Sequence, residues 1–191
     1  MKIAILDFGS TKVPDIESMV DDTIDFETFK AFEFKPELQD NFIGIILSGA
    51  PILVTEIDME PYFEAFEWLK KPKNPILGIC FGHQLIGILN GAFASKMKED
   101  RDSQEIEFYS ESILCKKMPQ LVSMMEDHCE AISIPSGFKL LGSSDVCINE
   151  AMEHNEKPWY GVQFHPETSG NMGFLLIENF INHCIHLNKS H

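Results

Sequence analysis

Residues 2–7 (KIAILD), 42–47 (FIGIIL) and 75–80 (PILGIC) are short, nearly unbroken apolar runs. Each is followed by Gly, Ser or Phe-Gly, so each predicts a strand buried on both faces and closed by a turn. Residues 159–165 (WYGVQFH) predict another strand, stopped by Pro166. Between these runs the period changes. In 60–70, Phe63, Phe66 and Leu69 recur at helical spacing, and Pro61 is acceptable in a first turn. The stretch after Cys80, QLIGILNG, is helical. In the tail from 171 to about 187, Phe174, Ile177, Phe180, Ile181 and Cys184 lie on one stripe. Residues 104–109 (QEIEFY) alternate like a strand with one wet face. The acidic stretch 11–23, interrupted by Pro14, predicts a weak helix at best; 25–33 fits strand or helix. The middle, 111–158, reads as short pieces with a turn at Pro135-Ser136-Gly137-Phe138. Apolar strands alternating with helices predict an α/β protein: a mostly parallel sheet with helices on both faces, forming a single domain over 1–191. Chemistry in such sheets sits at the carboxyl ends of strands, which directs attention to 48–51, 80–84 and 165–167.

Charge narrows the function classes. Thirty acidic against fifteen basic residues leave a formal charge of −15 over 191 residues. Binding to nucleic acid or anionic membrane needs clustered Lys and Arg, so neither is expected. No apolar run reaches the length of a membrane span, and the N-terminal run is too short for a signal peptide. Five cysteines at irregular spacing, with no CxxC pair, predict neither a disulfide framework nor a zinc site. Free thiols are expected in a reducing cytoplasm. Outside the 161–167 string, His83, His128, His154, His183, His186 and His191 carry no motif, and no metal ligands are assigned.

Gly78-Ile79-Cys80-Phe81-Gly82 is the pattern of a nucleophile elbow, with Cys in place of Ser. The turn is so sharp that residues two away from the nucleophile must lack a Cβ. It presents the thiol at a helix N-terminus, and the Phe81 amide points where an oxyanion would form. A structural cysteine between two accidental glycines is the alternative. His165 and Glu167 are two apart in an extended segment, so both side chains leave on one side. A carboxylate there fixes the imidazole tautomer and stabilises its charged form. Ser48-Gly49-Ala50-Pro51 brings small residues to a strand end, where a second oxyanion amide could approach a substrate oxygen.

In this order, LSGAP (47–51), GICFGHQ (78–84) and GVQFHPE (161–167) resemble a class I, triad-type glutamine amidotransferase. The resemblance implies a flavodoxin-like three-layer fold. It places the nucleophile, base and acid on Cys80, His165 and Glu167, the oxyanion amides on Ala50 and Phe81, and glutamine contacts on Gly49 and Gln84. A narrower likeness is to the amidotransferase subunits of two-subunit GMP synthetases, through ILDFGS (5–10), PSGFKLLGSSD (135–145) and EAMEHNEKPWYGVQFHPE (150–167). It implies hydrolysis of L-glutamine to glutamate and ammonia through a γ-glutamyl thioester. It also implies delivery of the ammonia to a separate ATP-pyrophosphatase (synthetase) subunit that converts XMP to GMP. ATP and Mg would lie on that partner, with no cofactor on this chain. Two segments depart from the pattern. The opening continues into Thr11-Lys12-Val13-Pro14, and the family's Ser-His-x-Asp-Glu-Val segment falls on 126–131 (EDHCEA), without its His and Asp. Other readings stay open: a stand-alone amidotransferase-like protein with another acceptor, a non-catalytic regulator, or a related Cys-elbow hydrolase or peptidase.

Overall fold

The structure is a computed structural model, and it describes residues 1–109 and 111–190. His191 lies outside the described residues. In chain order the elements are β1 (Ile3–Asp7), α1 (Val13–Asp21), β2 (Phe26–Lys30), β3 (Gly44–Leu47), α2 (Glu60–Phe66), β4 (Ile76–Ile79) and α3 (Phe81–Leu89). There follow β5 (Ala94–Asp100), β6 (Ser103–Phe108), β7 (Leu121–Met125), β8 (His128–Ile132), β9 (Phe138–Ser143), β10 (Ala151–His154), β11 (Trp159–Val162) and α4 (Gly170–Lys189). Among the described residues the main sheet has nine strands in the order β2-β1-β3-β4-β11-β10-β9-β6-β7; β5 and β8 form a separate ribbon. Strands β2 to β11 in that order run parallel, and from β11 onward every pair is antiparallel. The sheet is therefore mixed. Its parallel half carries the helices, and its antiparallel half extends it.

The apolar runs explain the layering. Alternate residues of a strand face opposite sides. Ile3 and Ile5 of β1 pack with Ile46, Leu77 and Ile79 under α1 and α4, whereas Ala4 and Leu6 pack with Ile45, Leu47 and Ile76 under α2 and α3. Both faces are dry, so all-apolar strands are required there. Helix α4 buries Leu176, Ile177, Phe180, Ile181 and Cys184. Each large apolar side chain so buried contributes roughly 1.5–3 kcal/mol before entropy is charged against it.

Among the segments that differ from the sequence reading, the strand predicted over 159–165 ends at Val162. Residues 13–21 form a full helix, because Val13, Ile16 and Val20 share one buried face and Pro14 sits in the first turn, where its missing N–H costs nothing. The ambiguous 25–33 stretch resolves to strand β2 followed by a 3-10 turn at 31–33. The short middle pieces are four strands, β7 to β10, whose brief spans and inward Met and Glu residues weaken the alternation a sequence displays. All five cysteines are free. Among the described residues no helix is long and apolar enough to cross a membrane.

Helix α4 also braces the turn that follows β11. A Cβ added to Gly173 would lie 1.8 Å from the Pro166 carbonyl oxygen. Helix propensity alone favours Ala over Gly by about 1 kcal/mol. The collision with backbone costs about 1–3 kcal/mol or more. Gly173→Ala is therefore expected to lower the urea midpoint of unfolding. A raised midpoint would mean that α4 can slide away from Pro166 at no cost.

Candidate active site

The three strand ends singled out above meet in one cleft of about 740 Å³. Ala50, Cys80, Phe81, Gln84 and His165 line it, together with Asp127, His128, Cys129 and Glu130. Parallel pairing sets this convergence: β3 and β11 flank β4 in register, so their carboxyl ends finish side by side.

Cys80 is one of two described non-glycine residues at positive φ, with φ 50° and ψ −105°. Its backbone is pinned on both sides: its N–H donates to the Val162 carbonyl at 2.8 Å, and its carbonyl accepts from Gln84 N–H at 3.0 Å. The neighbouring glycines make this turn possible. A Cβ on Gly78 would lie 2.5 Å from the Gly82 carbonyl carbon, and one on Gly82 would lie 2.6 Å from the Leu47 oxygen. Both obstacles are backbone, so neither position admits a side chain without moving a strand. The thiol stands at the start of α3, where the first N–H groups, that of Phe81 among them, have no intrahelical acceptor.

His165 is held from both sides. Its N–H donates to the Met125 carbonyl at 2.8 Å, and its carbonyl accepts from Ser169 Oγ at 2.6 Å. Its Nδ1 lies 2.6 Å from Glu167 Oε1. The other edge of the ring faces Gly49, where a Cβ would lie 3.2 Å from Cε1 and 3.6 Å from the Cys80 Cβ. Burial pulls the charged form of His165 down, but its hydrogen bonds to the Cys80 side chain and the Glu167 carboxylate outweigh it and push the pKa up to about 10. Ala50 is not at positive φ, so its side chain carries no left-handed strain.

Gln84 and Phe81 are buried, at 3% and 1% exposure. Gln84 Nε2 donates to Gln163 Oε1 at 3.1 Å and to the Glu130 carbonyl at 3.3 Å. Gln163, which the motif reading left without a role, is fully buried, and its Nε2 reaches Cys80 Sγ at 3.6 Å. The signal was present: Gln163 is two residues before His165, so an extended strand puts both on one side. His83, beside the elbow, is fully buried, and burial pushes it down to about 3, so it is a neutral packing residue.

The 126–131 segment sits at the rim and floor of the cleft. Glu130 takes the Val54 N–H at 2.6 Å and the Thr55 N–H at 3.0 Å, with the Thr55 hydroxyl as a third donor. Asp127 pairs with Lys12 at 2.5 Å. His128, which the sequence left without a motif, and Glu126 point into the interior, where Nε2 and Oε2 are 3.1 Å apart. Burial pushes Glu126 upward and Glu150 up to about 8, the Glu126 charge adding to the latter.

Residues 5–184 match the family described as glutamine amidotransferase class-I. The chain belongs to this family. Over 144 residues it is 40% identical to a glutamine-hydrolyzing GMP synthase subunit of Pyrococcus furiosus, covering 74% of this chain and 75% of that protein. The likeness to the corresponding GMP synthase subunit of Methanocaldococcus jannaschii is 37% over 144 residues, covering 74% and 73%. Among solved structures, a candidate GMP synthase subunit of Thermoplasma acidophilum superposes with a TM-score of 0.90 at 24% identity, covering 100% of this chain and 96% of that one. A glutamine amidotransferase of Thermotoga maritima gives 0.74 at 18% identity, covering 100% and 86%. Identities this low speak for the fold alone, and the fold is that of the class I amidotransferases.

The raised His165 pKa has a consequence for stability. A group whose folded pKa exceeds its unfolded value near 6.5 stabilises fully below that value, and the contribution is lost as pH rises through about 10. The stability margin of the parent chain over His165→Asn should therefore be largest below about pH 6.5 and shrink as pH rises toward 10. Urea unfolding across that range checks it. A margin that grows with pH would contradict a charged ring between Cys80 and Glu167.

Proposed function

We propose that this class I amidotransferase hydrolyses the side-chain amide of L-glutamine and passes the ammonia to a separate synthetase subunit, for conversion of XMP to GMP. The observation that carries the hydrolytic part is the alignment of Cys80 at a forced positive φ, His165 against it, and Glu167 2.6 Å from the far ring nitrogen. The acceptor part rests on the names of the relatives and on the motifs shared with amidotransferase subunits of GMP synthetases.

In this reading the Cys80 thiolate attacks the amide carbon, and the carbonyl oxygen takes up the negative charge. The Ala50 and Phe81 amides hold that oxyanion. His165 gives its proton to the departing nitrogen, so ammonia leaves and a γ-glutamyl thioester remains. The now neutral His165 takes a proton from water, which attacks the thioester carbon. The bond to sulfur breaks, glutamate departs, and the Cys80 thiolate and protonated His165 are restored. Glu167 keeps the ring oriented and compensates its charge; it neither attacks nor transfers a proton. Gln163 steadies the sulfur, and Gly49 leaves room for the glutamine side chain beside the ring. No residue of this chain binds ATP in this scheme; ATP and Mg belong to the synthetase partner.

A coupled assay of glutamate release, with and without a synthetase subunit, tests the whole reading. Cys80→Ala should lose at least about 10⁴-fold in turnover, the scale seen when a nucleophile is removed from a triad. His165→Ala should lose nearly as much. Glu167→Gln should lose less and should still react with a glutamine analogue that alkylates the thiol, because the nucleophile and oxyanion amides survive. Glutaminase activity in folded Cys80→Ala would overturn the assignment. A Glu167→Gln chain as inactive as Cys80→Ala would overturn the role given to the acid. A folded chain that releases glutamate but responds to no synthetase subunit would make it a stand-alone glutaminase.

A further inference from the structure

Beneath the cleft, which His128 also lines, three ligating side chains converge. Glu126 stands in the turn between β7 and β8, His128 opens β8, and Glu150 immediately precedes β10. All three are buried, at 2%, 7% and 0% exposure. One ligand atom from each lies within 4.8 Å of the other two. We propose that Glu126, His128 and Glu150 form a divalent-cation site, best suited to zinc, that clamps the β7–β8 turn to the start of β10.

The state of the donors carries this. Both Glu126 oxygens, His128 Nε2 and Glu150 Oε2 are buried without a hydrogen-bond partner. Leaving one such atom unpartnered costs about 1–3 kcal/mol, more for a charged one, so four together need a common explanation. Among the described residues no Lys or Arg pairs with Glu126 or Glu150. His128 Nδ1 lies 2.9 Å from the Glu130 carbonyl, which can only accept, so Nδ1 carries a hydrogen, and Nε2 is the ring atom a cation would take in place of the proton that the Glu126 carboxylate favours there. Nε2 stands 3.1 Å from Glu126 Oε2, out of hydrogen-bonding alignment. Around a tetrahedral ion with bonds of about 2.0–2.1 Å, neighbouring donors stand about 3.3 Å apart, close to that spacing. Glu150 is oriented from behind, its Oε1 accepting from Ser144 Oγ at 2.7 Å.

The donor set selects the cation. Magnesium and calcium prefer six or more oxygens, whereas one imidazole and two carboxylates, with a water completing four-coordination, suit zinc. The location gives the ion a use. Met125, beside Glu126, accepts the His165 N–H, and the Glu150 carbonyl accepts the Gln163 N–H at 2.8 Å. A clamp between Glu126 and Glu150 therefore fixes the two backbone acceptors that hold Gln163 and His165. This inference does not depend on the reaction proposed above.

The test uses the full chain carrying Cys80→Ser, because the Cys80–His165 pair would itself take up zinc. After chelator treatment, zinc is titrated against a chromophoric competitor, and thermal unfolding is followed with and without it. One equivalent should bind, and zinc should raise Tm. Glu126→Gln and Glu150→Gln, each nearly isosteric, should weaken binding at least about tenfold and remove the zinc-dependent rise. Should either fail to fold, His128→Gln is read in the same way. A chain that takes up no stoichiometric zinc is neutralised by protons alone, and the proposal falls. It falls equally if the substitutions leave both affinity and Tm shift unchanged.

Discussion

The turn from β4 into α3 is the constraint on which the rest of the structure depends. Cys80 occupies a backbone region that costs a non-glycine residue on the order of 1–3 kcal/mol, and nothing local relieves it. What sustains it is the surrounding parallel sheet. Val162 of β11 takes the Cys80 N–H, and Leu47 of β3 lies against Gly82 so closely that no Cβ fits between them. The elbow therefore exists because three adjacent strands, paired parallel and in register, end at the same level.

The antiparallel extension has a different task. His165 does not lie on a regular strand; it forms an isolated bridge to Met125 beyond the end of β11. Its ring is aimed by that bridge, by Ser169 beneath its carbonyl and by Glu167 at Nδ1. Met125 N–H in turn donates to Ser169 Oγ at 2.9 Å. One serine thus ties β7 to the turn that begins α4. The parallel half holds the thiol and the antiparallel half holds the base, and their relative placement is a property of the whole mixed sheet.

Much of this was legible in the chain, for identifiable reasons. Strands β1, β3 and β4 are apolar on both faces, so they read clearly as uninterrupted runs, and the glycines at 78 and 82 read as a steric demand. Helix α1 was obscured by its acidic outer face, although Val13, Ile16 and Val20 carry the helical period. Strands β7 and β8 were obscured because their inward positions include Met124, His128 and Glu130 instead of branched aliphatics. At the candidate site, the strings around Cys80 and His165 led to one cleft. Gln163 was hidden inside one of them, and the meeting of Glu126 and His128 with Glu150 depends on tertiary pairing that no spacing reveals.

The altered 126–131 segment is best understood through what its side chains now hold. Glu130 spends its carboxylate on the amides of Val54 and Thr55, which anchors the loop after Ala50 and hence the backbone beside Gly49. Asp127 is taken by Lys12, which joins the β1–α1 turn to the cleft rim and keeps Asp127 below its ordinary pKa, against the pull of partial burial. Glu126 and His128 turn inward. Lys12 on one loop is thus matched by Asp127 on the other. Glu130 performs by side chain what the loop after β3 needs to hold its place. These contacts hold the rim of the cleft in place around Cys80 and His165.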